Sequence, residues 1–280
     1  MKNWTTKSIR KNGTDIFIFR NNFENQENDV AELRSNKVKE SLSVGKIVTV
    51  PMGPMSSELI EHFGPLGFDG LWLEGEHGPV DFDNIPDLTR SCDLWGMTPI
   101  VRVYQNEPAV IYRTMDLGAL GICVPHINTK EEAQAVVEAT KFAPIGMRGS
   151  FTSRQGIGVD DYLNKANDQT MSIILIEDIV AVNNLDEILE VNNIDIFYVA
   201  PGDLAQSMGL TGGAGSPKVN DVVDGALKKI TAAGKTAGTL VSENTLPHYI
   251  DVGARFFSFS WLPWLSDGAE GILKTVQASN

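Results

Sequence analysis

From Asn36 onward, short runs of β-prone apolar residues alternate with helical patterns, and this alternation constrains the fold more than any other feature of the chain. Eight runs stand out: Lys46–Val50, Phe68–Leu73, Thr98–Val103, Leu120–Pro125, Ser172–Glu177, Asp195–Ala200, Lys235–Val241 and Arg255–Ser260. Between them, apolar positions recur at helical spacing, for example in Ser57–Phe63, Glu107–Leu117, Thr129–Lys141, Val180–Val191 and Val219–Ala233. Leu-Gly or Val-Gly pairs at 66–67, 117–118 and 252–253 stand where helix C-caps belong. Eight strands with eight helices predict an α/β chain closed into a TIM (β/α)8 barrel; a doubly wound open sheet with an extra lobe is the competing arrangement. The 280 residues suit one barrel, which takes roughly 250. Residues 1–35, rich in Asn, Lys and Glu without sustained periodicity, read as an N-terminal extension to a barrel domain of residues 36–280. Phe17, Phe19 and Phe23 give that extension apolar surface that can dock on the body or on a neighbouring subunit.

Bulk charge narrows the partners. A net charge of −13 removes any general attraction to nucleic-acid phosphates, so an anionic substrate needs a local cation or arginine. No apolar run approaches the roughly 20 residues of a membrane span, and Ile16–Phe19, after the basic start, is too short for a secretory core. Cys92 and Cys123 argue against a disulfide framework and read as buried small hydrophobes, which suits a reducing, cytoplasmic setting.

Barrel enzymes place their chemistry where strands end. The second run ends in Glu74-Gly75-Glu76-His77-Gly78-Pro79, the third in Val101-Arg102, the fifth in Ile176-Glu177-Asp178 and the sixth in Ala200-Pro201-Gly202-Asp203. Four strands therefore each deliver an ionisable group to one rim. Glu177 follows the apolar stretch Ile173–Ile176, a setting that is costly for a carboxylate unless a cation or hydrogen bonds compensate. With Asp203 from the adjacent strand it can hold Mg²⁺ or Mn²⁺ through oxygen and leave positions open for a bidentate 2-oxo acid. Such a cation polarises the carbonyl and acidifies the neighbouring methyl group. His77 has a suitable intrinsic pKa for the base, and Arg102 can stabilise the enolate without losing its charge. Asp203 falls in the first turn of a helix, so the amides of Gly202 and Asp203 can receive a substrate carboxylate, and Gly202 lets it approach.

Each group alone has an ordinary structural alternative: an N-cap, an ion pair or a turn. Their joint occurrence at one rim favours a site. His126, after the fourth run, also reaches that rim, whereas His62 and His248 fall in helical segments and read as structural. The Thr211–Ser216 stretch reads as a loop, because no strand-turn-helix context makes it a phosphate cradle.

At these residues the chain resembles the HpcH/HpaI family of metal-dependent class II pyruvate aldolases, which includes 4-hydroxy-2-oxoheptanedioate and 2-dehydro-3-deoxyglucarate aldolases. The resemblance runs from about Asn36 to the C-terminus, through Gly67-Phe68-Asp69, Gly75-Glu76-His77, Val101-Arg102, Asp116-Leu117-Gly118, Gly146-Met147-Arg148-Gly149, Ile176-Glu177 and Pro201-Gly202-Asp203-Leu204. It implies that His77 is the base, paired with Asp116, that Arg102 stabilises the transition state, and that Glu177 and Asp203 ligate the metal, with Co²⁺ or Zn²⁺ as other occupants. It also implies pyruvate or oxaloacetate and an aldehyde as partners, and a trimer or hexamer whose last helix, here Trp261–Val276, is exchanged between subunits.

The chain departs from the family at Glu74, where Asp is usual, and at the substrate-facing position Leu175, where Gln is usual. Gly202 replaces a common Ala, and His126 stands where an apolar residue is frequent. These departures leave open a citrate-forming condensing enzyme of siderophore type, or a non-catalytic barrel that binds a 2-oxo acid. The leading expectation is a reversible aldol lyase that cleaves a 4-hydroxy-2-oxo acid to pyruvate and an aldehyde.

Overall fold

In the computed structural model of the chain the described residues are 4–11, 14–21 and 31–279. Eight parallel strands close into a barrel in chain order: β3 (Val48–Met52), β4 (Gly70–Glu74), β5 (Thr98–Arg102), β6 (Gly121–Val124), β7 (Met171–Ile176), β8 (Ile196–Val199), β9 (Ala237–Leu240) and β10 (Phe256–Ser260). Pairing of β10 with β3, from Phe256 opposite Val48 to Ser260 opposite Met52, completes the cylinder and excludes the open sheet. All eight predicted runs are strands. Ahead of them, β1 (Trp4–Lys11) and β2 (Thr14–Asn21) pair antiparallel in a sheet of their own.

Twelve α-helices accompany the described strands: α1 (Lys37–Ser43), α2 (Ser57–Phe63), α3 (Ile85–Leu94), α4 (Pro108–Asp116), α5 (Lys130–Thr140), α6 (Tyr162–Gln169), α7 (Ile179–Asn183), α8 (Leu185–Leu189), α9 (Pro201–Ser207), α10 (Pro217–Ala232), α11 (Leu246–Val252) and α12 (Leu262–Ser279). Their ends follow local chemistry. Thr129 and Glu132 form a reciprocal capping box on α5, and Gly253 ends α11 in a left-handed conformation. The expected helix over 180–191 is broken at Asn184, whose side chain donates to the carbonyl of Asn128 at 2.8 Å.

Two apolar layers hold the barrel. Outward-facing strand residues such as Leu71, Leu73, Ile174 and Phe197 pack under the helices, while Val48, Val50, Trp72, Ile100, Ile173, Leu175, Tyr198 and Phe256 fill the interior. Helix α1 closes the N-terminal end. Val38 joins the interior cluster, and buried Asn36 donates to the carbonyls of Leu120 and Gln169 while accepting from Lys39 N–H and Thr98 Oγ1. With that end sealed, the barrel interior opens at the C-terminal rim among the described residues.

Candidate active site

Side chains alternate across a strand, so the residue two positions beyond an inward-facing apolar one also faces inward, nearer the mouth. Glu74 stands two beyond Trp72, Arg102 two beyond Ile100, and Glu177 two beyond Leu175. This parity brings three charged groups from neighbouring parts of the barrel to one floor of apolar residues. Leu175 is fully buried in that floor, one layer beneath Glu177.

Arg102 and Glu74 form the centre of the first cluster. Nε of Arg102 lies 2.8 Å from Oε2 and 3.0 Å from Oε1 of Glu74, and Nη1 lies 3.1 Å from Oε2 of Glu76. Glu74 also accepts from Trp72 Nε1 at 3.1 Å and from the amides of Glu76 and His77 at 2.8 and 3.0 Å. The departure at Glu74 is therefore accommodated: its longer side chain pins the turn that carries His77. Burial opposes its charge, but the Arg102 guanidinium and these donors outweigh burial and hold the carboxyl below its ordinary pKa. Burial likewise works against the Arg102 charge, and Glu74 more than compensates. A cavity of about 230 Å³ between the loops after β4 and β5 has Arg102 in its wall.

Glu177 is the buried acid. Only 1% exposed, it accepts the His126 amide on Oε1 at 2.7 Å, while its Oε2 is buried without a hydrogen-bond partner. Burial pushes its carboxyl up to about 7; the His126 amide and imidazole oppose the rise, and the charges of Asp203 and Glu76 add to it. Asp203 comes from the next strand over, in the first turn of α9, where the leading amides have no acceptor within the helix. An orphaned, buried carboxylate oxygen in the field of a second acid fits a divalent cation. Among the described residues no group of three or more His, Cys, Asp or Glu side chains is arranged to hold a metal ion. Two carboxylates alone would leave coordination positions of a divalent cation to water and substrate.

His126 is held in a left-handed conformation, φ 54°, which costs a non-glycine residue roughly 1–2 kcal/mol. Its Nδ1 lies 3.0 Å from Oδ2 of Asp178, which also accepts from Asn128 Nδ2 at 3.0 Å, and its Nε2 lies 3.8 Å from Oε1 of Glu76. Burial lowers the imidazole pKa, but the bond to Asp178 and the surrounding acids raise it overall.

His77 sits on the exposed rim, its Nε2 3.9 Å from Oε2 of Glu76. Within one chain the expected pairing with Asp116 is not made. Asp116 closes the last turn of α4, a helix that starts at the rim after β5 and runs back to the sealed end; there its Oδ1 accepts from Arg148 Nη2 at 2.7 Å. Gly202 is exposed, with nothing within 4 Å of a Cβ built on it. His62 is exposed on α2, His248 is paired with Asp224 at 2.9 Å, and both cysteines are buried and free. The Thr211–Ser216 stretch links α9 to α10, so it enters a helix but from another helix, not from a strand. Glu76 and Asp178 are the acids that sequence reasoning passed over, although both adjoin residues it singled out.

The profile of the HpcH/HpaI aldolase/citrate lyase family matches residues 52–260. The chain belongs to that family. Over 203 residues this HpcH/HpaI-family chain is 36% identical to a hydroxypyruvate/pyruvate aldolase of Cupriavidus necator, covering 71% of the chain and 76% of the relative. It is 33% identical over 220 residues to a 2-keto-3-deoxy-L-rhamnonate aldolase of Salmonella dublin, covering 76% and 82%. A crystal structure of an HpcH/HpaI aldolase/citrate lyase family protein from Burkholderia cenocepacia superposes with a TM-score of 0.82 at 27% identity, over 87% of this chain and all of that one. As a member of this family the chain is an enzyme of the aldolase and lyase class.

Proposed function

We propose that this chain is a class II pyruvate aldolase that reversibly cleaves a 4-hydroxy-2-oxo acid to pyruvate and an aldehyde. Glu177 and Asp203 hold its divalent cation, Mg²⁺ or Mn²⁺. The observation that carries the reading is the buried, unpartnered Oε2 of Glu177 in the field of Asp203. When bound, the cation supplies Lewis-acid polarisation of the 2-oxo group. Gly202 and Asp203 offer first-turn amides to the substrate carboxylate, over the apolar floor of Leu175. In cleavage His77 takes the C4 hydroxyl proton; the C3–C4 bond breaks, its electron pair passes to the pyruvate enolate, and the proton is returned to C3. Arg102, fixed by Glu74 and Glu76, directs its remaining N–H groups at the developing oxyanion.

The oligomer is part of the proposal. Helix α12 has no buried residue and exposes Leu265, Ile272, Leu273 and Val276, which suits exchange onto another copy in a trimer or hexamer. A dyad of His77 with Asp116 can form only between subunits, because the two lie at opposite ends of one barrel. Residues 1–35 stand as an extension to the barrel domain, and two buried free thiols suit a cytoplasmic setting. Among the described residues no helix is long and apolar enough to cross a membrane.

Incubation with a 4-hydroxy-2-oxo acid tests the reading. Pyruvate and aldehyde should appear together, stop on chelation and resume with Mn²⁺. Cleavage that persists in a fully chelated sample contradicts the cation-based reading.

A further inference from the structure

The backbone at His126 does something an extended chain cannot. Successive amides of an extended strand point to opposite sides. Here the amides of His126 and Ile127 both turn toward β7: the first donates to Oε1 of Glu177 at 2.7 Å, the second to the carbonyl of Leu175 at 3.3 Å. Pro125, immediately after β6, has no N–H to give, so His126 is the first residue beyond that strand able to reach the carboxylate. The φ of 54° makes the convergence, a local concavity of backbone donors of the kind that holds anions. The ring is then tied down, with Nδ1 on Asp178 and Asp178 in turn on Asn128.

Resting on the reading that Glu177 ligates a cation, we infer that the left-handed backbone at His126 is a positioning device. It occupies Oε1 of Glu177 with an amide and so presents Oε2 alone to the metal. Histidine is among the few residue types that enter this backbone region readily, whereas a β-branched side chain there is an outlier. The imidazole Nδ1 also lies 3.5 Å from Oε1 of Glu177, but the positioning comes from the backbone amide, which any residue that accepts positive φ can supply without the ring.

Titration calorimetry of Mn²⁺ into chelator-stripped protein tests this with wild type, His126→Asn, His126→Gly, His126→Val and Glu177→Gln. Asn and Gly both accept positive φ, and they should bind Mn²⁺ within about threefold of wild type. Val should weaken binding by roughly 10–100-fold, the usual loss when a partner of a metal ligand is removed. Circular dichroism confirms folding, and His126→Ala replaces Val if that variant does not fold. Equal affinity in Val and wild type overturns the inference. So does a Gly variant as weak as Val, which would move the effect to the imidazole. If wild type and Glu177→Gln bind alike, the cation site itself is misassigned, whatever the His126 variants do.

Discussion

Nε of Arg102 stands 2.8 Å from Oε2 of Glu74, and both side chains are about nine-tenths buried. Removing one member of such a pair leaves an uncompensated buried charge. Glu74→Ala should cost about 3 kcal/mol, at the lower end for buried pairs because Glu76 still contacts Arg102. Urea denaturation measures it. Glu74→Asp, one methylene shorter, should lose less.

Arg102→Lys keeps the charge but not the fork. The side chain could no longer satisfy Glu74 and Glu76 while facing an oxyanion. The expected outcome is a fall in kcat of roughly 10²–10³ with a small change in KM, read by steady-state kinetics.

Glu74 and Glu177 titrate with opposite consequences. Glu74, held below its ordinary pKa, contributes stability that is present above about 4.5 and lost as pH falls through its lowered value. Glu177 is raised from 4.5 to about 7, so the native state holds the proton more tightly than the unfolded chain. In cation-free protein its contribution is full below pH 4.5 and is lost as pH rises to about 7, and Glu177→Gln should flatten that decline in thermal melts. Because a cation competes with the same proton, Mn²⁺ affinity should drop as pH falls through about 7.

A His77–Asp116 dyad across subunits predicts complementation. His77→Ala and Asp116→Ala should each be deficient, by roughly 10²–10⁴ for loss of the base. Mixed assemblies of the two should recover activity, since some sites then combine an intact His77 with an intact Asp116. Mixtures no more active than the separate variants would refute the dyad. Removal of residues 262–279 should likewise convert the oligomer to monomers in light scattering.

The strands were legible because each has a run of apolar residues between polar turns, and burial on both faces of a closed sheet demands that. Glu177 and Arg102 were legible as groups at the mouth of the barrel because each charge directly follows an apolar strand run. Glu76 and Asp178 were not. Their roles depend on reaching Arg102 and His126 across loops, and spacing along the chain encodes no such contact. The β1–β2 pair lies where no sustained periodicity was read, yet Asn12-Gly13 between β-prone runs is a hairpin signal. The place of Asp116 was not legible either: a motif gives its position along the chain but not that it ends α4 beside Arg148.

The most direct test is exchange of the pyruvate methyl protons for deuterium, followed by NMR. Wild type with Mn²⁺ should exchange them, and either chelation or Glu177→Gln should reduce exchange to the rate in buffer. Undiminished exchange in the chelated enzyme, or in Glu177→Gln, would contradict a cation held by Glu177 and Asp203.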